Sequence, residues 1–144
     1  MAYQTGNKRK LYLTTAKSLS STKFTALAGE QTNSFNLTAE MLEVSDKTSE
    51  WAQFIAGKKG ATANVTVFAD ADDATGQTML RTALYKGTTV FCFIGSLGTD
   101  GAPAEGELFE ALVSSVSETN DNAGVASRDI ALQVTGEVVS VPAL

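Results

Sequence analysis

Between Ala61 and Ile94 the spacing of hydrophobic and polar positions changes from strand-like to helical and back. Ala61, Ala63, Val65 and Val67 fall on one side of a β-branched run ending at Phe68, the alternation of a half-buried strand. Asp70, Asp72 and Asp73 follow, and a carboxylate there can accept the free N–H groups at a helix start. From Asp73 to Lys86 the apolar residues Met79, Leu80, Ala83 and Leu84 form a stripe with helical spacing. Lys86 suits the negative end of a helix, and Gly87 supplies a left-handed cap. Thr88 to Ile94 then reads as a strand too apolar to face water on both sides.

The rest of the chain supplies shorter or longer strands around this unit. Leu11–Thr15, Phe24–Ala28 and Ser34–Thr38 read as short strands, with turns at Ser18–Thr22 and Gly29–Gln31. Residues 38–60 form a long excursion with only brief structure. A single helical turn is expected through Glu40-Met41-Leu42, without a capping box because Met41 stands where Glu is needed. A second turn is expected over Glu50–Ala56, anchored by Trp51, Phe54 and Ile55. Gly95 to Gly106 reads as a Gly-rich connection, and Glu107–Ser117 as a strand with Leu108, Leu112 and Val116 opposite Phe109, Ala111 and Val113. After a hairpin loop at Asn120–Gly124, Ile130, Leu132, Val134 and Val138 alternate with polar residues, and Gly136 marks a bulge or close approach. The pattern predicts one mainly β domain over residues 1–144, a β-sandwich or barrel with one flanking α-helix.

Composition narrows the chemistry. The 43% hydrophobic fraction supports a folded core, while charged residues are only 19%, which leaves polar but weakly charged faces such as subunit contacts often have. The net charge of −5 is unevenly placed. Residues 1–60 carry eight Lys and Arg against five acids, and residues 61–144 carry three against eleven. The only basic clusters are Lys8–Lys10 and Lys58-Lys59, which argues against a sequence-specific nucleic-acid binder. No apolar run approaches the length needed to span a bilayer, so no membrane is expected as a partner. Residues 1–9 are polar and expected to be flexible in an isolated subunit, with no apolar stretch behind Lys8–Lys10 to form a leader.

The chain has no histidine, which removes the commonest general base and most His-based metal sites. Its single cysteine, Cys92, lies mid-strand and reads as a small core residue. Asp70-x-Asp72-Asp73 lacks the Gly and Glu of a calcium loop and reads as helix capping. No catalytic residue, cofactor site or metal site is expected. Trp51 is a packing anchor or a hot spot at a subunit interface, and the two readings are compatible.

The order of these features resembles a known family. The run Ala28-Gly29-Glu30-Gln31 to Asp46-Lys47-Thr48, followed by Trp51 and by Phe54-Ile55-Ala56-Gly57, is similar to the major tail tube proteins of long-tailed bacteriophages. A strand, a single helix, an apolar strand, a strand entered by Gly106-Glu107 and a last strand ending near Gly136-Glu137 agree with that order. The resemblance implies six copies forming a ring, rings stacking into a hollow tube, and strands of all six joining into an inner barrel. It makes residues 38–60 an inter-subunit loop, with Trp51, Phe54, Ile55, Lys47, Lys58 and Lys59 as interface residues. Tape-measure and tail-tip or terminator proteins are the other implied partners. DNA would pass the lumen without specific binding, helped by the acidic excess of residues 61–144. The implied location is the virion, after assembly in the host cytoplasm. Two alternatives stay open: a monomeric β-barrel binding module, and a tube subunit of a contractile injection machine.

Overall fold

The computed structural model describes residues 6, 9–14, 24–48, 50–70, 72–73, 76–98 and 103–142. The elements in chain order are β1 (Lys10–Thr14), β2 (Thr25–Ala26), β3 (Glu30–Glu43), β4 (Phe54–Phe68), α1 (Gln77–Lys86), β5 (Thr89–Leu97), β6 (Pro103–Thr119) and β7 (Ser127–Val141). All strand pairs are antiparallel, in the spatial order β2-β1-β5-β6-β7-β4-β3. The expected turn at Ser18–Thr22 lies outside the described residues, as do all of residues 1–9 except Gly6 and Arg9.

One buried cluster joins both halves of this sheet. Leu11, Leu13, Val90, Cys92 and Ile94 meet Ala61, Ala63, Val65, Val67, Ile130 and Leu132 in it. The sheet therefore curls over its own apolar face, giving the expected sandwich-like barrel. A smaller cluster of Tyr12, Phe93 and Leu108 covers the opposite face of β1, β5 and β6, with Phe24, Ala26, Leu97 and Val141 against it. Burial raises the Cys92 thiol well above its usual range, in keeping with its core role.

Two segments expected as connections are strand. Gly95 and Gly106 pair with each other across β5 and β6, both at positive φ (147° and 148°). A Cβ on Gly106 would lie 2.1 Å from the Ile94 carbonyl oxygen, so only glycine lets the two backbones approach this closely. The alternation in β6 also breaks. A register shift between Val113 and Ser115 turns Val116 to Ile130 and the main core, not to the face of Leu112. Gly136 sits in a second irregularity, where β7 has extra residues between Thr135 and Val139; the space around it is open, so it marks a bulge and not a close approach.

The helix begins later than its sequence pattern suggests, at Gln77, and ends as expected on Gly87 in the left-handed conformation. Asp73 still serves its start, accepting the Gln77 N–H at 3.1 Å and the Ala28 N–H at 3.0 Å. Gln77 itself is fully buried, and its amide makes four bonds. The Nε2 group donates to the carbonyls of Ala28 (2.9 Å) and Phe68 (2.7 Å). Its Oε1 accepts from the Asp70 N–H (3.0 Å) and from Arg128 (2.7 Å), which also pairs with Glu118. One side chain thus ties α1 to the turn before β3, the end of β4 and the start of β7, while Leu80 and Ala83 enter the core.

Side chains also close the seam between β1 and β3. Glu30 accepts the Leu11 N–H at 3.1 Å and a bond from Asn33, whose amide also donates to the Arg9 carbonyl at 3.0 Å. Burial raises the Glu30 carboxyl above its ordinary range, despite opposing bonds from Asn33 and Leu11 and the nearby Lys10 charge. Glu107 is raised too, by burial and by Glu105, whereas Glu118 is lowered by Arg128.

Two predictions follow from these polar contacts. Gln77→Leu strands two carbonyls, one N–H and Arg128 in the interior, and at roughly 1–3 kcal/mol per orphaned group the loss is about 3 kcal/mol or more; urea unfolding of the subunit measures it, and an unchanged midpoint contradicts the assignment. For Glu30 the folded state holds its proton more tightly than the unfolded chain. Its stabilising effect is therefore complete below the unfolded pKa and is lost as pH rises through the folded one. Glu30→Gln should gain stability relative to the unsubstituted protein as pH is raised from about 4.5 to about 7. A difference in unfolding midpoint that shrinks over that range contradicts this sign.

Candidate assembly interface

Most of residues 38–60 is strand, not loop, with irregular backbone only at the tip. β3 and β4 remain paired far beyond the body, through Thr38↔Gly60, Ala39↔Lys59, Met41↔Ala56, Leu42↔Ile55 and Glu43↔Phe54. The backbone pairing of β4 with β7 stops at Thr62↔Gln133, and Ala61 is the last residue in the core, so from Gly60 outward the hairpin is a two-stranded arm. The helical turns expected at Glu40–Leu42 and Glu50–Ala56 are replaced by this ladder and its tip. Glu-Met-Leu-Glu is a good local helix former, but pairing with Phe54 and Ile55 satisfies its backbone as strand and overrides that preference.

Local hydrogen bonds shape the tip. The Val44 N–H donates to the Gln53 carbonyl (2.8 Å) and the Gln53 N–H to Ser45 Oγ (2.6 Å). Asp46 Oδ1 accepts from the Thr48 N–H (2.9 Å) and hydroxyl (2.7 Å), a side-chain-stabilised turn that carries Lys47. Near the base a bulge gives β4 one extra residue between Lys59 and Ala56 opposite Ala39 and Met41, and exposed Lys58 and Lys59 stand there.

Residues directly opposite in an antiparallel pair share a face. One face of the arm therefore carries Leu42 and Ile55. The other carries Met41, Ala56 and Phe54, in line with Leu37 and with Phe35, which packs on the core. The apolar stripe of the core thus runs off the body onto the arm. Trp51 is 82% exposed, Met41 60%, Phe54 55% and Ile55 52%, and Leu37, Leu42 and Val44 are exposed as well. Several large apolar side chains on both faces of so thin an element are far more than scattered surface hydrophobics explain.

The structure gathers Trp51, Phe54, Ile55 and Lys47 on the arm's outer part, with Lys58 and Lys59 at its base. It splits the expected single cluster, because neighbours Phe54 and Ile55 on a strand point to opposite faces. Leu37, Met41, Leu42 and Val44 were not legible as part of the surface. Their signal was an alternation in β3 that is visible only once the segment is taken as strand. Among the described residues no group of His, Cys, Asp and Glu is placed to hold a metal ion.

Comparison with known proteins agrees with this geometry. No curated protein matches the chain. Among solved structures, the tail of an empty gene transfer agent particle, refined with C6 symmetry, superimposes with a TM-score of 0.78 at 18% identity, covering 96% of this chain and 98% of that one. The SPP1 tail tube gives 0.73 at 16% identity, covering 94% and 77%. A chain of the anti-feeding prophage baseplate gives 0.61 at 14%, covering 98% and 99%. At such identities the likeness establishes the fold. A family model described as phage tail tube protein matches residues 3–140, nearly the whole chain. With the strand order, the single flanking helix and that match in agreement, this chain belongs to the phage tail tube protein family.

Proposed function

We propose that the protein is a structural, non-enzymatic virion subunit whose copies form six-membered rings that stack into a hollow tail tube for DNA passage. The observation that carries this reading is the β3–β4 arm, apolar on both faces and uncovered by its own chain. Trp51, Phe54 and Ile55 contact a copy in the neighbouring ring, and Lys47, Lys58 and Lys59 meet the acidic excess of its residues 61–144. At roughly 1–2 kcal/mol for each half-exposed large side chain buried, the arm contributes on the order of 5 kcal/mol per copy before ordering costs. A monomeric binding module leaves that arm bare in water. Tape-measure and tail-tip or terminator proteins are the other partners, and assembly takes place in the host cytoplasm. The likeness to the anti-feeding prophage baseplate supports the second reading, a tube subunit of a contractile machine, with the same role for the arm.

Negative-stain imaging of purified protein tests the proposal, with rings and tubes as the expected outcome. Trp51→Ala is expected to leave the subunit folded, its unfolding free energy within about 0.5 kcal/mol of the unsubstituted protein, while abolishing tubes. Full-length tubes from that variant overturn the role given to Trp51, and a protein that is monomeric at every concentration overturns the tube reading.

A further inference from the structure

Residues 61–144 hold eleven acids and only three cations, Arg81, Lys86 and Arg128, and two of those three meet at one pocket. It has a volume of about 190 Å³ and lies between α1 and the β6–β7 ladder, lined by Arg81, Leu84, Tyr85, Val116, Glu118 and Arg128. On the helix Arg81, Leu84 and Tyr85 are three and four residues apart and so share a face. On the ladder Glu118 pairs with Arg128, and Val116 with Ile130. Arg128 also pairs with Val67, at the end of β4 opposite the arm.

The two arginines are held differently. The Arg128 side chain is only 11% exposed, with Nε donating to Glu118 at 2.9 Å and Nη1 to Gln77 at 2.7 Å. Its Nη2 has no such bond. No buried side-chain nitrogen or oxygen lacks a partner among the described residues, so Nη2 opens to solvent where Arg128 lines the pocket. Arg81 is exposed, and its guanidinium has no hydrogen bond or ion pair among the described residues. Its charge is still near. Bonds from Arg128 and Asn120 hold the Glu118 carboxyl below the ordinary carboxylate range, and Arg81 adds to that. Tyr85 is 81% exposed, more than any other large hydrophobic residue described outside the arm. Packing against the core accounts for Leu84 and Val116, and the Gln77 network for Arg128. Neither accounts for Arg81 or Tyr85.

We infer that this pocket binds a carboxylate side chain, glutamate or aspartate, presented by a partner protein with an apolar group beside it. Glu118 engages Arg128 through Nε alone, which leaves Nη2 and the whole of Arg81 to donate to an incoming anion. Guanidinium forks match the planar carboxylate in shape as well as charge. Leu84 and Val116 keep water from one side of that contact and so strengthen it, and the Tyr85 ring offers a flat apolar surface to the neighbouring group. Size sets the class of ligand. Nucleotides and other drug-sized molecules occupy pockets of roughly 300–1,000 Å³, so this smaller one suits a single side chain anchored from a larger partner. The site uses no arm residue and no second copy of this chain, and it goes beyond the tube reading without depending on it.

Saturation-transfer NMR observes the small molecule and works with subunits and tubes alike. The probe is acetyl-Phe-Glu-amide, and acetyl-Phe-Gln-amide is its uncharged control. The glutamyl probe is expected to bind with a Kd on the order of 1 mM, as suits one charge-assisted contact and one aromatic contact. Binding should be at least about tenfold weaker for the glutaminyl probe, and equally so for the glutamyl probe on Arg81→Gln protein. Tyr85→Ala, at another exposed position, is the second variant and should also weaken the glutamyl probe. Equal binding of the two probes, no saturation transfer from either, or binding unchanged by both variants overturns the inference. Inorganic phosphate that displaces the probe at lower concentration than acetate does overturns the choice of a carboxylate. Failure of the protein to form tubes bears on the tube reading alone.

Discussion

A two-stranded ribbon standing in water cannot bury the apolar side chains of either face, and here that constraint governs the rest of the structure. β3 and β4 are far longer than the body needs. Within the body their inward residues, from Phe35 through Ala61 to Val67, meet the curled sheet and are covered. Beyond Ala61 the cover ends but the apolar pattern does not, so Met41, Phe54, Leu42 and Ile55 remain in contact with solvent in a single copy. The proposed packing of copies against one another covers this surface.

The body clamps the β3–β4 pair at the end away from the arm. Gln77 locks the helix to the ends of β4 and β7 through four hydrogen bonds, and Glu30 joins the start of β3 to β1. The Gly95–Gly106 approach brings β5 and β6 together where the smaller cluster around Phe93 and Leu108 begins. These contacts are at least partly buried and join segments distant in sequence, and among the described residues no buried polar side-chain atom is left without a partner. The polar residues on the bare face of β4 and β7, Asn64 and Asp129 among them, need no such support. They are wet on one side and anchored by alternate residues on the other.

Much of the fold was legible in the sequence because its signals are local. The helical stripe of Met79, Leu80, Ala83 and Leu84, the left-handed cap at Gly87 and the alternation around Ile130 each follow from spacing alone. What was missed depends on partners distant in sequence. Glu40–Leu42 becomes strand because Ile55 and Phe54 lie opposite, and Gly95 and Gly106 belong to strands because they face each other. Gln77 gave no warning, since a polar residue at a helix start is ordinarily solvated. Of the candidate site, Trp51, Phe54 and Ile55 could be singled out as apolar residues in an otherwise polar stretch. Leu37, Met41 and Leu42 could not, because only the strand period reveals the faces they share.

Trp51 is the only tryptophan in the chain and stands on the arm tip, so its fluorescence reports directly on whether copies cover the arm. In dilute protein its emission should be that of a solvated indole, readily quenched by acrylamide. As concentration rises and particles form, the emission should shift to the blue and the quenching should fall. An indole already shielded in the monomer, or one that stays solvated within assembled particles, contradicts the account.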